Sequence, residues 1–255
     1  MIITGVEMHV ERLSGHGSLN FVLIHNAGGD HHFFTHQLHV LKKFGDVILL
    51  DLPGHAKSGV LTSYSMYDQA VVIEHVCKQL ELINICLVGL NNGADIAIET
   101  AASFALPIHS MILIDPPLLM DASFVGEIQQ FIAQLDENES GEFVQSLVDS
   151  LFIKTGINNK YIAINAFTHA DKKSLQAIFK GLIAWDADAP EKLTEITIPT
   201  LCLLTDEHHC NYEKMTHAAP QFEYGKVVGS RCWATLEVPE QVNAMMERFL
   251  NLHTQ

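Results

Sequence analysis

The residues whose spacing points most directly to chemistry are five consecutive positions, Gly89-Leu90-Asn91-Asn92-Gly93. An apolar run at residues 85–88 precedes them and an Ala-rich stretch with helical spacing follows, a pattern that predicts a strand, a sharp turn and a helix. In the related pattern Gly-x-Ser-x-Gly, the glycines allow a tight turn that exposes the middle side chain as a nucleophile. Here the middle residue is Asn91, and a side-chain amide is not a nucleophile.

Composition limits what kind of partner the chain can bind. The 255 residues are 48% hydrophobic, enough for one large core. The 15 Lys and Arg against 30 Asp and Glu give a net charge of −15, without a basic run. This charge argues against nucleic acid and anionic membrane as partners. We therefore expect a small, neutral or apolar molecule as the ligand, and the oligomeric state stays open.

The cysteines and the apolar runs indicate the cellular compartment in which the protein is expected. No stretch reaches the roughly 18 apolar residues of a membrane span, and the region after Met1 lacks the pattern of a signal peptide. The five cysteines are an odd number without metal-finger spacing, which favours free thiols over a disulfide framework. These observations predict a cytoplasmic protein.

Short apolar runs alternate with helical patterns over most of the chain, which predicts an α/β fold. We expect a mostly parallel sheet of about eight strands with helices on both faces. From residue 118 to residue 197 the alternation stops, and helical spacing recurs at residues 124–135, 143–152, 160–167 and 173–185. The chain is therefore expected to form a core from residues 1–117 and 198–255, with residues 118–197 inserted as a helical cap.

Five short motifs occur in an order that is typical of one superfamily. They are His25-Asn26-Ala27-Gly28-Gly29, Asp51-Leu52-Pro53-Gly54-His55, the turn at Asn91, Ile198-Pro199-Thr200-Leu201 and Leu236-Glu237-Val238-Pro239-Glu240. With these motifs the chain resembles the α/β-hydrolase superfamily, in particular its small capped esterases, lactonases and haloperoxidase-like enzymes. The resemblance runs nearly end to end and implies the α/β-hydrolase fold. It is weaker evidence for function, because one fold hosts many activities.

The resemblance also implies which positions would hold the catalytic triad. Asn91 stands at the nucleophile position, and Cys232, in Gly229-Ser230-Arg231-Cys232-Trp233, stands at the position of the family's histidine. His208 stands at the position of the family's acid, with Asp206 two places earlier as the other candidate. All three triad positions are therefore substituted, which predicts loss of the usual Ser-His-Asp reaction.

The oxyanion donors of the family are backbone N–H groups, which do not depend on the side chain. The resemblance assigns them to Ala27 and Asn92, with Asn26 in place of a glycine beside His25. With Trp233, these residues are the expected ligand-binding set, and Phe131, Phe152, Phe167, Phe179 and Trp185 are candidates for a cavity roof.

Two functions remain open. In the first, a small and largely apolar molecule binds between cap and turn, and the protein is a poor or non-classical hydrolase. In the second, the protein is an active hydrolase or lyase acting on a small ester, lactone or related carbonyl compound. Its rebuilt site would then use Cys232 with His208, or Asn91. An asparagine at position 91 is also compatible with an unselected substitution at a site that has lost its reaction.

We expect no cofactor and no metal ion. The adjacent pairs His31-His32 and His208-His209 lack the i,i+4 spacing of helical metal ligands. These pairs are therefore interpreted as incidental surface histidines.

Overall fold

A seven-stranded sheet and a separate two-stranded sheet organise the protein, whose computed structural model describes residues 1–137, 141–153 and 159–254. The strands are β1 Ile2–Ile3, β2 Val6–Glu7, β3 Val10–Leu13, β4 Leu19–Ile24, β5 Gly45–Leu50, β6 Ile85–Leu90, β7 Ile108–Ile114, β8 Thr200–Leu204 and β9 Glu223–Lys226. The helices are α1 Leu38–Leu41, α2 Met66–Gln79, α3 Asn92–Ser103, α4 Ala122–Glu137, α5 Gly141–Leu151, α6 Lys160–Thr168, α7 Lys172–Trp185, α8 Ala189–Glu195, α9 Tyr212–Ala218, α10 Ala234–Glu237 and α11 Pro239–His253.

The main sheet has the order β3-β5-β4-β6-β7-β8-β9. Only β3 runs antiparallel to its neighbour, and the other pairs are parallel. All residues of β4 and β6 are buried, because helices cover both faces of the sheet at its centre. Apolar side chains fill a separate core on each face, one including α2 and α3 and the other including α11. The predicted α/β architecture is confirmed.

The strand arrangement differs from the sequence expectation in two details. The main sheet has seven strands in the described residues, where about eight were expected, because β1 and β2 pair only with each other. The runs at residues 2–11 and 20–25, on either side of the turn at residues 15–17, also predict a hairpin, yet β3 pairs with β5 and β4 lies beyond β5. A short-range pattern cannot distinguish these pairings, because β5 enters the sheet about 30 residues after β3.

In the described residues, five helices, α4 to α8, follow one another between β7 and β8. Asp186 joins the two ends of this segment, because its carboxylate accepts hydrogen bonds from the backbone N–H groups of Leu119 (2.6 Å) and Met120 (2.9 Å). A link to the rest of the protein is the 2.8 Å hydrogen bond from the N–H of Asp171 to the carbonyl of Gly54. The expected cap, residues 118–197, includes 138–140 and 154–158, which lie outside the described residues, and the division into core and cap stays a prediction.

Within the described ranges, none of the helices is both long and apolar enough to cross a bilayer.

Candidate functional site

The turn between β6 and α3 holds Asn91 in an unusual backbone conformation, with φ 51° and ψ −127°. Such a conformation costs a non-glycine residue about 1–3 kcal/mol and persists only where the surroundings enforce it. The close approach of other backbone enforces it here. A Cβ atom at Gly93 would lie 2.2 Å from the carbonyl oxygen of Ile24, and one at Gly89 would lie 2.4 Å from the Cα of Ala94. The turn therefore retains the geometry that exposes a nucleophile, although it carries an amide.

The Asn91 side chain is partly exposed and lines a cavity. Its Nδ2 donates a 3.3 Å hydrogen bond to the backbone carbonyl of Asp115, at the end of β7. This bond leaves the amide oxygen of Asn91 without a hydrogen-bond partner among the described residues. Asn91 therefore presents a hydrogen-bond acceptor where the serine enzymes present a nucleophile.

One of the two expected oxyanion donors is already used inside the protein. The N–H of Ala27 donates to Oδ1 of Asn92 across 2.5 Å, and Asn92 is fully buried at the start of α3. A ligand oxygen must compete with this internal acceptor for the Ala27 N–H. The side chain of Asn92 therefore occupies the N–H of Ala27, and the roles of the Ala27 and Asn92 N–H groups as oxyanion donors stay predictions.

His25 lies in the wall behind the cavity, although it was predicted to contact the ligand. It is 0% exposed, and its Nε2 accepts a 2.8 Å hydrogen bond from the N–H of Leu52. Nδ1 must then carry the proton, which it donates to the carbonyl of Asn26 at 2.8 Å. Burial lowers the pKa of His25 to about 3, so the ring is neutral. His25 orders the loop around Ala27.

His55 orders the same loop from the other side. Its Nε2 accepts a 2.9 Å hydrogen bond from the N–H of Gly28, and its ring makes an edge contact with His25 at 4.9 Å between centroids. Asn26 also stays within the loop, because its Nδ2 donates to the carbonyl of Ala27 at 2.9 Å. The loop is thus held by side chains and backbone of the core, independently of any ligand.

The histidine beside Cys232 is His209, whereas the sequence pointed to His208. Nε2 of His209 lies 3.2 Å from Sγ of Cys232, while Nδ1 of His208 is 3.3 Å from the carbonyl of Thr205. Neighbouring residues in a loop direct their side chains differently. A family motif therefore does not show which of two adjacent histidines faces the thiol. His209 stacks flat on Phe124 of α4, with 4.2 Å between ring centroids. The predicted contact between His208 and Cys232 is therefore wrong.

The thiol and the imidazole of this pair are both uncharged. Burial raises the pKa of Cys232 well above its usual value, and the nearby carboxyl of Asp115 raises it further. Burial lowers the pKa of His209 to about 4. A reactive cysteine needs a thiolate, which a neighbouring positive charge stabilises. The neutral ring of His209 does not supply that charge at neutral pH.

Asp115, next to this pair, is a fully buried acid that the sequence did not connect with the site. Its Oδ1 accepts a 2.9 Å hydrogen bond from the hydroxyl of Thr205, and its Oδ2 has no partner among the described residues. Burial raises the pKa of Asp115 to about 8. The carboxyl is therefore protonated and neutral at pH 7.

A cavity of about 210 Å³ lies above Asn91, between the core and α4 to α7. The core side contributes Asn26, Ala27, Asn91, His209, Cys232 and Trp233. The helices contribute mainly apolar side chains: Phe124, Glu127, Ile128, Phe131, Leu147, Leu151, Phe167 and Phe179. No Lys or Arg of the described residues lines it. A larger groove of about 510 Å³ on the surface is lined by other residues, among them Lys43 and Glu247, and is remote from this chemistry.

The aromatic residues expected at the cavity fall into two groups. Phe131, Phe167 and Phe179 line it, and Phe131 makes edge contacts with the other two. Phe152 instead supports Trp233 from behind, at 5.1 Å between ring centroids. Trp185 lies elsewhere, where its Nε1 donates a 2.7 Å hydrogen bond to Glu99.

Residues 20–207 match the family model described as alpha/beta hydrolase fold. The chain belongs to this alpha/beta hydrolase fold family. The match covers most of the sheet, the turn at Asn91 and the inserted helices, so it agrees with the resemblance seen in the motifs. It stops before Cys232, where the family's histidine would be expected.

Solved structures of other alpha/beta hydrolase fold proteins superpose on almost the whole chain. A carboxylesterase structure from Nitrososphaera gargenis has a TM-score of 0.84 at 18% identity, covering 98% of this chain and 96% of its own. The enol-lactonase from Burkholderia xenovorans LB400 has a TM-score of 0.83 at 16% identity, covering 98% of both chains. The bromoperoxidase from Bacillus anthracis has a TM-score of 0.80 at 17% identity, covering 96% of both chains. At these identities the likeness shows the fold alone.

A curated relative matches by sequence over part of its length. It is the dihydrolipoyllysine-residue acetyltransferase component of the acetoin cleaving system of Cupriavidus necator, 24% identical over 183 residues. The match covers 71% of this chain, and the chain spans about half, 47%, of that relative.

Proposed function

We propose that the protein binds a small, largely apolar molecule in the cavity above Asn91 and does not hydrolyse esters by the usual serine route. The observation that carries this proposal is an amide on a turn that still has its strained, exposed geometry beneath a cavity. Loss of the reaction leaves the binding space intact, because the walls are apolar side chains of the inserted helices.

The polarity of the cavity defines the kind of molecule that fits. Aromatic and aliphatic side chains form most of the wall and favour an apolar body. Most polar groups lie at the core end, among them Asn91, His209 and Cys232, and α4 adds the acidic side chain of Glu127. Without a Lys or Arg in the described lining, a carboxylate or phosphate would lose its hydration without a charged partner. The ligand is therefore neutral, with one polar end directed at Asn91.

One observation favours a second candidate, a thiol-dependent hydrolase. Sγ of Cys232 lies 3.2 Å from Nε2 of His209, within reach for proton transfer. In this candidate Sγ gives its proton to Nε2 and attacks the carbonyl carbon of an ester. The bond from that carbon to the alkoxy oxygen breaks, and Nε2 returns the proton to the departing alcohol. Water then cleaves the thioester to the carboxylic acid and the free thiol. The buried, uncharged state of both groups argues against it.

Binding and turnover of matched molecules separate the two candidates. We expect isothermal titration calorimetry to detect acetophenone, a neutral ketone with an apolar body, while phenyl acetate is hydrolysed no faster than in buffer. Phe131→Leu should weaken acetophenone binding, whereas Phe44→Leu, outside the cavity, serves as the matched control. Equal affinities of both variants, or no binding at all, would refute the assignment of the cavity. Enzyme-like hydrolysis abolished by Cys232→Ser would establish the thiol route.

A further inference from the structure

Three side chains from distant parts of the chain meet on the β5 side of the molecule, outside the cavity. They are His9, just before β3, His31, at the start of the 3-10 helix His31–Phe34, and Asp51, just after β5. One nitrogen or carboxylate oxygen from each lies within 4.8 Å of those of the other two. None of the three lines the cavity above Asn91.

Asp51 and His31 hold each other in fixed positions. Asp51 is fully buried, and its Oδ1 lies 2.6 Å from Nδ1 of His31, whose side chain is 10% exposed. The carboxylate also accepts backbone hydrogen bonds from the N–H groups of His31 (3.2 Å) and Lys57 (3.3 Å). Two of the three groups are therefore oriented in advance by bonds that need no ion.

The hydrogen bonds between Asp51 and His31 do not explain the position of the His9 side chain. Its Nε2 is buried and has no hydrogen-bond partner among the described residues. Leaving a buried polar atom unpaired costs roughly 1–3 kcal/mol. The His9 ring lies 5.1 Å from the His31 ring, centroid to centroid. If the cluster served only to order the turn after β5, Asp51 and His31 would suffice and His9 would have no role.

A neighbouring set of groups shares one member with this cluster. Asp30, His31 and His32 also bring one candidate ligand atom each within 4.8 Å. Nδ1 of His32 lies 3.2 Å from Oδ1 of Asp30, and the His32 side chain is 53% exposed. His32 therefore lies on the solvent side of His31, in a group that does not include His9 or Asp51.

We propose that His9, His31 and Asp51 form a binding site for a divalent transition-metal ion of the Zn²⁺ class. Two imidazole nitrogens and one carboxylate oxygen suit Zn²⁺, whereas Mg²⁺ and Ca²⁺ prefer all-oxygen sites. The remaining coordination position takes water. The ion ties the start of β3, the turn after β5 and the end of the loop that carries Ala27, and it pairs the nitrogen of His9.

The adjacent histidines His31 and His32 lack the spacing of metal ligands on one helix. The ligands of this site instead come from distant parts of the chain. His9 and Asp51 are 22 residues before and 20 residues after His31, and only the sheet brings them together.

The test uses the 255-residue protein after EDTA treatment and removal of the chelator. Thermal unfolding and isothermal titration calorimetry with Zn²⁺ should give one tight site and a higher Tm, since binding to the native state stabilises it. Mg²⁺ should do neither. Co²⁺ should give the visible absorption of a four-coordinate N/O site, a readout independent of activity.

Two variants decide whether the proposed residues hold the ion. His9→Gln, which leaves the Asp51 and His31 pair in place, should weaken Zn²⁺ binding at least tenfold and abolish the Co²⁺ absorption. His75→Gln is the matched control, because exposed His75 also lies 3.2 Å from a carboxylate, that of Glu74, but outside the cluster. If His9→Gln binds Zn²⁺ as tightly as the unaltered protein, or if the unaltered protein binds none, the proposal is wrong.

Discussion

At the scale of single residues, Asp115 contributes to the way in which stability depends on pH. In the folded protein its pKa is raised from 3.8 to about 8, because the carboxyl is buried. Between these values the unfolded state holds fewer protons than the folded state, and stability falls as pH rises. Each pH unit in this window costs up to roughly 1.4 kcal/mol.

Asp115→Asn should therefore make the protein more stable at pH 7 and flatten the decline of unfolding free energy between pH 5 and pH 8. Asparagine has the same shape, and it tolerates the φ of 50° at this position. Urea unfolding followed by circular dichroism at each pH gives the comparison. Asp121→Asn, at a carboxyl with 63% of the side chain exposed, is the control. Parallel pH profiles for Asp115→Asn and the unaltered protein would contradict the expectation.

The internal hydrogen bond from Ala27 to Asn92 predicts how difficult it is to restore hydrolysis. In a background of Asn91→Ser with Cys232→His, adding Asn92→Ala frees the Ala27 N–H for an oxyanion. A single oxyanion donor is worth about 10²–10³ in kcat. We expect hydrolysis of p-nitrophenyl acetate to rise at least tenfold on this third substitution. An unchanged kcat would mean that the Asn92 side chain does not limit the oxyanion site.

At the scale of elements, the turn between β6 and α3 depends on the absence of a side chain at Gly93. Gly93→Ala should destabilise the protein by about 3 kcal/mol or more, because its Cβ would lie 2.2 Å from a backbone oxygen of β4. Gly126→Ala in α4 is the matched control, since nothing lies within 4 Å of a Cβ there. The Gly126→Ala substitution should stabilise the protein by up to roughly 1 kcal/mol, because alanine has a higher helix propensity than glycine. Chemical denaturation measures both, and similar losses in the two variants would be inconsistent with this account.

The elements that the sequence predicted correctly are those with strong local patterns. The turn at Asn91 was predictable from an apolar run followed by a glycine on each side of the turn. The four longer helices between β7 and β8 were predictable from the helical spacing of their apolar residues. The short helices α8 and α9 were not expected, because seven residues show too little periodicity.

The details of the site that sequence reasoning missed depend on contacts between distant residues. The bond from Ala27 to Asn92 joins positions 65 residues apart. The choice between His208 and His209 depends on how the loop after β8 turns, and a one-position alignment does not contain that information. The backbone skeleton of the site was therefore predictable, whereas the pairing of its polar groups was not.

At the scale of the whole molecule, the five cysteines report on global unfolding. All are buried and free. Iodoacetamide should therefore label all five slowly in the native protein, with a rate for Cys232 that rises only at alkaline pH, and label them rapidly in urea. Mass spectrometry of the alkylated protein measures this, with Cys232→Ser as the control. Selective, fast labelling of Cys232 near neutral pH would instead support the thiol-dependent hydrolase.

The insertion between β7 and β8 also affects how the chain is synthesised. β7 ends at Ile114 and its partner β8 begins at Thr200, 86 positions later (200 − 114). At a translation rate of about 5–20 residues per second, roughly 4 to 17 s pass before β8 leaves the ribosome. During this time one edge of β7 exposes unpaired backbone groups, which can pair with a neighbouring nascent chain. The inserted helices that line the cavity thus delay the pairing of β7 with β8. During this delay the growing chain is open to misassembly.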